Sequence, residues 1–432
     1  MSDAPRVAVV GAGLAGCEAA DRLARHGICV DLYEMKPEKR TPAHRGDGFA
    51  ELVCSNSLRS DRLENAVGLL KEEMRALDSL ILRCADATRV PAGGALAVDR
   101  EGFSRLVTQA ILENPRITVH MGEITELPEP PAIIATGPLT SEALSSRIAA
   151  LVGGGLHFYD AAAPVVTYDS IDHTVAFRAS RYDRGADYLN CPMTREEYFA
   201  FYRALVSAQT VPLHTFETPR VFEGCMPVEA MARRGELTLA YGPMKPVGLL
   251  RDGRRPFAVV QLRQDDAAGT LWNIVGFQTN LKFSEQRRVF GMIPGLANAE
   301  YVRYGVMHRN TFLPSPSLLD SRYQMLAHPG LYFAGQITGV EGYVESAASG
   351  LLAGAALARQ RLGLPPVDVP RTTAIGALAH YVSGYAGGDF QPMNVTFGIM
   401  EPLPSPPRGK RERYLAMAQR ALQIVKELKT SL

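Results

Sequence analysis

Hydrophobic and polar positions alternate with three different periods along the chain. Val7–Val10 is a short β-branched apolar run, the pattern of a strand buried on both faces, and Ile28–Tyr33 and Ile117–Met121 also read as strands. Helical spacing covers Cys17–His26, Asn65–Leu82 and Phe103–Leu112. In the second of these Leu69, Leu70, Met74, Leu77, Leu80 and Ile81 form one core-facing stripe. The stretch Ala132–Gly137, AIIATG, is again a buried strand that ends in a small-residue turn. From about Phe158 to roughly Gly305 alternating aromatic and polar strands dominate, with one helix at Thr194–Ala208. Beyond them come a strand at Leu331–Phe333 and an Ala/Gly-rich helix starting near Tyr343–Ser346. A Pro-rich linker, EPLPSPP, then leads into a basic terminal helix. This order predicts an α/β protein: a doubly wound, Rossmann-type domain (residues 1–157 and 306–432) interrupted by a strand-rich α+β insert (residues 158–305).

The turn after the first strand carries the sharpest local chemistry. Gly11, Gly13 and Gly16, with Ala12, Leu14 and Ala15 between them, make the GxGxxG spacing. The first glycine permits a tight turn, the second lets backbone approach a pyrophosphate, and the third lets helix pack on strand. The helix N-terminus offers its amides to phosphate. Glu34, closing the second strand, falls where a carboxylate accepts from a ribose hydroxyl. The irregular stretch Met35–Glu51 leaves that strand and is expected as a loop near the nucleotide. A second glycine-rich crossing, Gly335 to Gly342 followed by Tyr343, could lie against a ring system, its helix amides facing negative charge. Arg89–Arg100 is expected as a loop, along a cofactor or without function.

Composition narrows the alternatives only slightly. With 432 residues and 46% hydrophobic content the chain can bury a sizeable core. Its 46 basic and 45 acidic residues predict no partner by net charge, so any nucleic-acid surface must be local. The first strand follows Met1–Pro5 directly and no segment has membrane-spanning length, so a cytoplasmic protein with no membrane partner is expected. Six cysteines without CxxC pairing argue against a disulfide framework or a zinc site.

Two cysteines stand in unusual company. Cys54 lies among Ser55, Asn56 and Ser57, and Cys225 beside Glu223 and Gly224 with Arg233 and Arg234 downstream. A cysteine is often a small buried hydrophobe, but nearby positive charge raises its thiolate fraction. The start of the tail, with Arg408, Lys410, Arg411 and Arg413, is either a solvated face or a phosphate contact.

The blocks VVGAGLAGCEAA, TPAH, ELVCSNSL, RVPAGGALAVDR, DYLNCPMT, YGPMKPVGL, VVQLRQ, YGVMHRNT and GVEGYVESAASG resemble the folate- and FAD-dependent tRNA (uracil-5-)-methyltransferases over nearly the whole chain. The resemblance implies FAD in the doubly wound domain, methylenetetrahydrofolate as carbon donor, NADH or NADPH as reductant, and a monomer acting on tRNA, or on ribosomal RNA as relatives do. It implies Cys225 as nucleophile at uracil C6 and Cys54 as base, with their assignment open. It also implies His308 or Tyr343 as the aromatic group against the pterin, and Lys282, Arg309, Arg408, Lys410 and Arg411 at RNA phosphates. The residues alone leave two other readings open: a flavin oxidoreductase acting on a small molecule, and a binding module without catalysis.

Overall fold

The computed structural model describes residues 6–41, 43–154, 156–161, 163–181, 185–211, 226–305, 307–387 and 390–432, of which 156–161 and 307–311 are described as backbone only. A five-stranded parallel sheet runs in the order Leu331–Phe333, Ala132–Ile134, β1 (Val7–Val10), β2 (Val30–Glu34), Ile117–Met121. Strand order reverses about β1, which pairs Val7 with Val30 on one side and Ala8 with Ala132 on the other. The crevice therefore opens at the carboxyl end of β1, where a doubly wound sheet binds its ligand.

Helix α1 (Leu14–Arg25) begins three residues ahead of the expected Cys17, because Gly13 takes the capping position in extended conformation. It is buried along almost its whole length. The helix Tyr343–Arg361 covers its outer side, and small residues let the two backbones nearly touch. A methyl group on Gly350 would stand 2.1 Å from the Ala15 carbonyl oxygen, and one on Gly354 would stand 2.9 Å from that of Ala19.

The apolar stripe over Asn65–Leu82 belongs to two helices rather than one, Ala66–Ala76 and Leu80–Ala87. Asp78 adopts a left-handed backbone (φ 59°), and Ser79 caps the second helix by accepting from the Leu82 amide at 3.2 Å. Buried Glu18 of α1 accepts from the Ser79 hydroxyl at 2.7 Å and the Ile81 amide at 2.9 Å, which favours a helix N-terminus there. The stripe survives the break because both helices pack on the same core, so periodicity could not reveal it. The Arg89–Arg100 segment, expected as a loop, instead contributes strands Arg89–Val90 and Ala95–Val98, which pair with each other, and the second also pairs with Ser57–Ser60.

A separate six-stranded antiparallel sheet runs in the order Phe177–Ala179, Tyr188–Met193, Ala258–Gln264, Leu271–Ile274, Val165–Thr167, Tyr301–Arg303. Its core is aromatic, with Trp272, Tyr198, Phe201, Phe277 and Phe290 buried. The helix Arg195–Val206 lies against it and opens with a capping box of Thr194 and Glu197. An antiparallel ribbon, Leu156–Ala161 with Met307–Phe312, stands where the chain passes between the two sheets. The terminal helix Lys410–Leu428 buries Met417, Ala418, Ala421 and Val425. Among the described residues no helix is long and apolar enough to cross a membrane.

The helix contact yields a stability prediction. Gly350→Ala places a methyl group against backbone that cannot rotate away, and such overpacking costs about 1–3 kcal/mol. Thermal unfolding should show a clear loss of stability, whereas Gly363→Ala, with no atom near its methyl position but φ +67°, should show only the smaller strain penalty.

Candidate active site

The crevice encloses roughly 1100 Å³ of non-protein space, counted to its mouth. The three glycines of the β1–α1 turn differ in why they are glycines. Gly11 has φ +99°, and a methyl group there would meet the Ala135 carbonyl at 2.6 Å; on Gly16 it would meet the Gly11 carbonyl at 1.8 Å. Both are demanded by the protein itself. A methyl on Gly13 would meet nothing within 4 Å, and Gly13 lines the crevice, so packing within the protein does not require a glycine there. Gly13, Ala12 and Ala15 form the wall there, as the spacing anticipates for a pyrophosphate.

Glu34 lies at the next corner. Its Oε2 accepts from the Ala12 amide at 2.9 Å and its Oε1 from the Lys36 amide at 3.0 Å. Each carboxylate oxygen keeps a second lone pair for a hydroxyl. The expected loop Met35–Glu51 does border the space, through Met35, Lys36, His44 and Glu51. Buried Lys36 and Glu51 pair at 3.6 Å. The imidazole of His44 is held below its ordinary range by burial and then by Lys36. On the far wall stand Gly335 (φ +85°), Tyr343 and Ser346, with Gly342 (φ +111°) preceding the helix.

Tyr343 ties this wall to Cys54. Its hydroxyl oxygen accepts from the Cys54 amide at 2.8 Å and from the Ser55 amide at 3.3 Å, and it lies 2.9 Å from the Cys54 sulfur. Burial, and after it the charge of Cys54, pushes the phenol well above its ordinary value, so it stays protonated. With both lone pairs facing amides, the O–H is left to donate to the sulfur. The tyrosine thus lines the crevice with a ring whose tip is anchored on the thiol. Burial likewise raises three other cysteines, Cys84 to about 11, Cys191 to about 12 and Cys17 upward, which keeps those thiols inert.

Three arginines escaped the sequence reading of this loop. Arg100 donates to the Leu52 carbonyl, Arg303 to that of Val53 at 3.2 Å, and Arg263 to the Ser55 hydroxyl at 2.7 Å and the Asn56 side-chain oxygen at 3.1 Å. Arg100 and Arg263 stood inside the motif blocks RVPAGGALAVDR and VVQLRQ, which was the available signal.

Other expected site residues lie elsewhere. Lys282 is exposed, precedes the helix Phe283–Phe290 and bonds Gln209 at 2.9 Å. Arg408, Lys410 and Arg411 are exposed at the start of the terminal helix, with Lys410 5.6 Å over the Tyr414 ring and Arg411 3.9 Å from Glu64. None of these four lines the crevice. Cys225 lies outside the described residues, as do the side chains of His308 and Arg309. The chain flanking Cys225 is placed by the Val211 amide on Asn280 (2.9 Å) and the Val228 amide on Gln278 (2.7 Å).

A parallel sheet with its crevice at the strand reversal, interrupted by an antiparallel insert, defines an FAD-binding α/β protein with an inserted domain. The family model described as glucose inhibited division protein A matches residues 6–365. The chain is 61% identical over 424 residues to the methylenetetrahydrofolate--tRNA-(uracil-5-)-methyltransferase TrmFO of Acetivibrio thermocellus, covering 97% of each. It is 58% identical over 431 residues to the TrmFO of Enterococcus faecalis, covering 99% of each. Among solved structures, Aquifex aeolicus GidA (form II crystal) superimposes with a TM-score of 0.72 at 15% identity, over 98% of this chain and 73% of that one, a likeness of fold. The chain belongs to the glucose inhibited division protein A family and, within it, to the methylenetetrahydrofolate--tRNA-(uracil-5-)-methyltransferases.

The glycine analysis separates packing from ligand binding. Gly13→Ala should leave the unfolding free energy of the apoprotein within about 1 kcal/mol, yet reduce bound flavin, read as visible absorbance per chain. Gly16→Ala should lower both together.

Proposed function

We propose that the chain methylates C5 of a uridine in tRNA, taking the carbon from methylenetetrahydrofolate, with FAD held in the crevice. The observation that carries this reading is a dinucleotide crevice whose wall, through Tyr343, is hydrogen-bonded to a thiol. A nucleotide fold alone explains neither a polar, tethered cysteine nor three arginines around it. Membership of the family sets aside the small-molecule oxidoreductase and the non-catalytic module.

The residues present fit FAD: Gly13 and its neighbours at the pyrophosphate, Glu34 at a ribose hydroxyl, and Gly335, Gly342 and Tyr343 toward the ring. The chemistry FAD supplies when bound is hydride transfer, after reduction by NADH or NADPH. The chain's own residues do the rest. Uracil C5 is unreactive until a nucleophile adds at C6, and a thiolate suits a reversible addition. We assign that addition to Cys225: its sulfur bonds C6, and the displaced electron pair makes C5 the nucleophile toward the folate methylene. Cys54 then removes the C5 proton while tetrahydrofolate leaves with the electrons of its carbon–nitrogen bond. The methylene left on C5 would still need a hydride to become a methyl group, the chemistry of bound FAD; the electron pair this returns to the ring then expels Cys225 from C6 as a thiolate and restores the ring. Residues 158–305 would present the RNA, with Lys282, Arg309 and the tail cations Arg408, Lys410 and Arg411 at phosphates.

The test is transfer of carbon-labelled methylene to undermodified tRNA, with ribosomal RNA in a parallel reaction, read as labelled 5-methyluridine by mass spectrometry. Label in tRNA is expected. Oxidation of the nicotinamide with no label in tRNA would overturn the proposal. Cys54→Ala should slow transfer by about 10²–10⁴-fold while flavin stays bound, and Cys225→Ala should abolish both transfer and any protein–RNA adduct.

A further inference from the structure

Three guanidinium groups converge on the 52–56 loop, and they are not matched by acids. Arg100, only 6% exposed, is spanned by the Asp265 carboxylate at 2.9 and 3.1 Å. Arg263, also 6% exposed, and Arg303 form no salt bridge among the described residues. Burial lowers both, Arg303 to about 10, and a guanidinium is basic enough to keep its charge at neutral pH. Glu51, which faces Arg303 together with Arg45, is already paired with Lys36. One acid therefore faces three cations. Charge buried without a counter-charge, as at Arg263, is costly, and an anion beside these groups would offset that cost.

The group at the focus is Cys54. Arg303 holds the residue before it and Arg263 the residue after it, while Arg100 holds the Leu52 carbonyl at the start of the loop and Tyr343 aims a hydroxyl at its sulfur. Arg263 and Arg303 also come from the antiparallel sheet, on strands Ala258–Gln264 and Tyr301–Arg303, whereas Cys54, Arg100 and Tyr343 belong to the nucleotide-binding part. We propose that Arg263 and Arg303 are positioning residues through which the inserted domain fixes the 52–56 loop and holds the Cys54 sulfur as a thiolate. The thiol proton goes to solvent, and the excess positive charge becomes the thiolate's counter-charge. The proposal rests on the reading of Cys54 as a reactive thiol, and it makes that reactivity depend on the seating of the insert.

The experiment is the pH dependence of iodoacetamide alkylation at Cys54, followed by peptide mass in the reduced, full-length holoenzyme without RNA or folate. Wild type should show an inflection below the ordinary thiol value of about 8.5. Arg263→Gln and Arg303→Gln should each raise it by about one unit, slowing alkylation at pH 6.5 about tenfold, and Arg263→Lys, which keeps the charge, should restore it. Asp265→Asn, which removes the one acid, should move the inflection the opposite way. A loosened loop could not produce that downward shift, so this variant carries the test even if an arginine variant fails to fold. Equal inflections in wild type and Asp265→Asn, or shifts of one sign in all variants, would overturn the proposal. The outcome is separable from the proposed function: opposite shifts without methyl transfer by wild type would sink that function and leave this inference standing, and transfer with unshifted inflections would do the reverse.

Discussion

The backbone contact between α1 and the Tyr343–Arg361 helix is the constraint on which the site depends. Gly350 over Ala15 and Gly354 over Ala19 bring the two helices closer than any side chain would permit. One helix starts at the glycine turn and the other at Tyr343, so their contact sets both ends of the crevice against each other. Tyr343 then fixes the amides of Cys54 and Ser55. A shift of the helices by one methyl radius would move the phenol away from the sulfur it must reach at 2.9 Å.

Buried carboxylates serve this framework by gripping backbone. Glu18 takes the amides of Leu80 and Ile81, Glu34 those of Ala12 and Lys36, and Glu73 those of Ala374 and Ile375. Burial raises the carboxyls of Glu18 and Glu73, the latter to about 7, and the paired amides act against it by favouring the charged form. Hydrogen bonds to a charged group are worth about 1.5–3 kcal/mol each, enough to oppose the desolvation. Glu18 and Glu73 plug the N-termini of the helices Leu80–Ala87 and Ala374–Gly384, so segments far apart in sequence are joined without a larger apolar core. The third, Glu34, applies the same grip at the crevice itself.

Sequence carried the nucleotide-binding unit well, because strand, glycines, helix and acid lie within about thirty positions and each has a local cause. It misread the break at Leu77–Ser79, where the decisive group is Glu18, some sixty residues earlier. At the site, Cys54 was visible through its polar neighbours, whereas the partners that define it were not. Arg263 and Arg303 lie more than two hundred residues away, and neither charge nor periodicity distinguishes a buried arginine from one in solvent. Gly13 was legible in the motif, but only the empty space around it separates it from Gly11 and Gly16, which the protein's own packing demands.

The ribbon of Leu156–Ala161 against Met307–Phe312 has a topological meaning. Paired antiparallel strands lie about 5 Å apart, so the chain leaves the nucleotide-binding part and re-enters it at nearly one point. Topologically, then, the antiparallel domain is a long excursion from a single position on its host. A parallel nucleotide-binding protein could have taken it in, or could exchange it for another, without rethreading a strand of its own sheet.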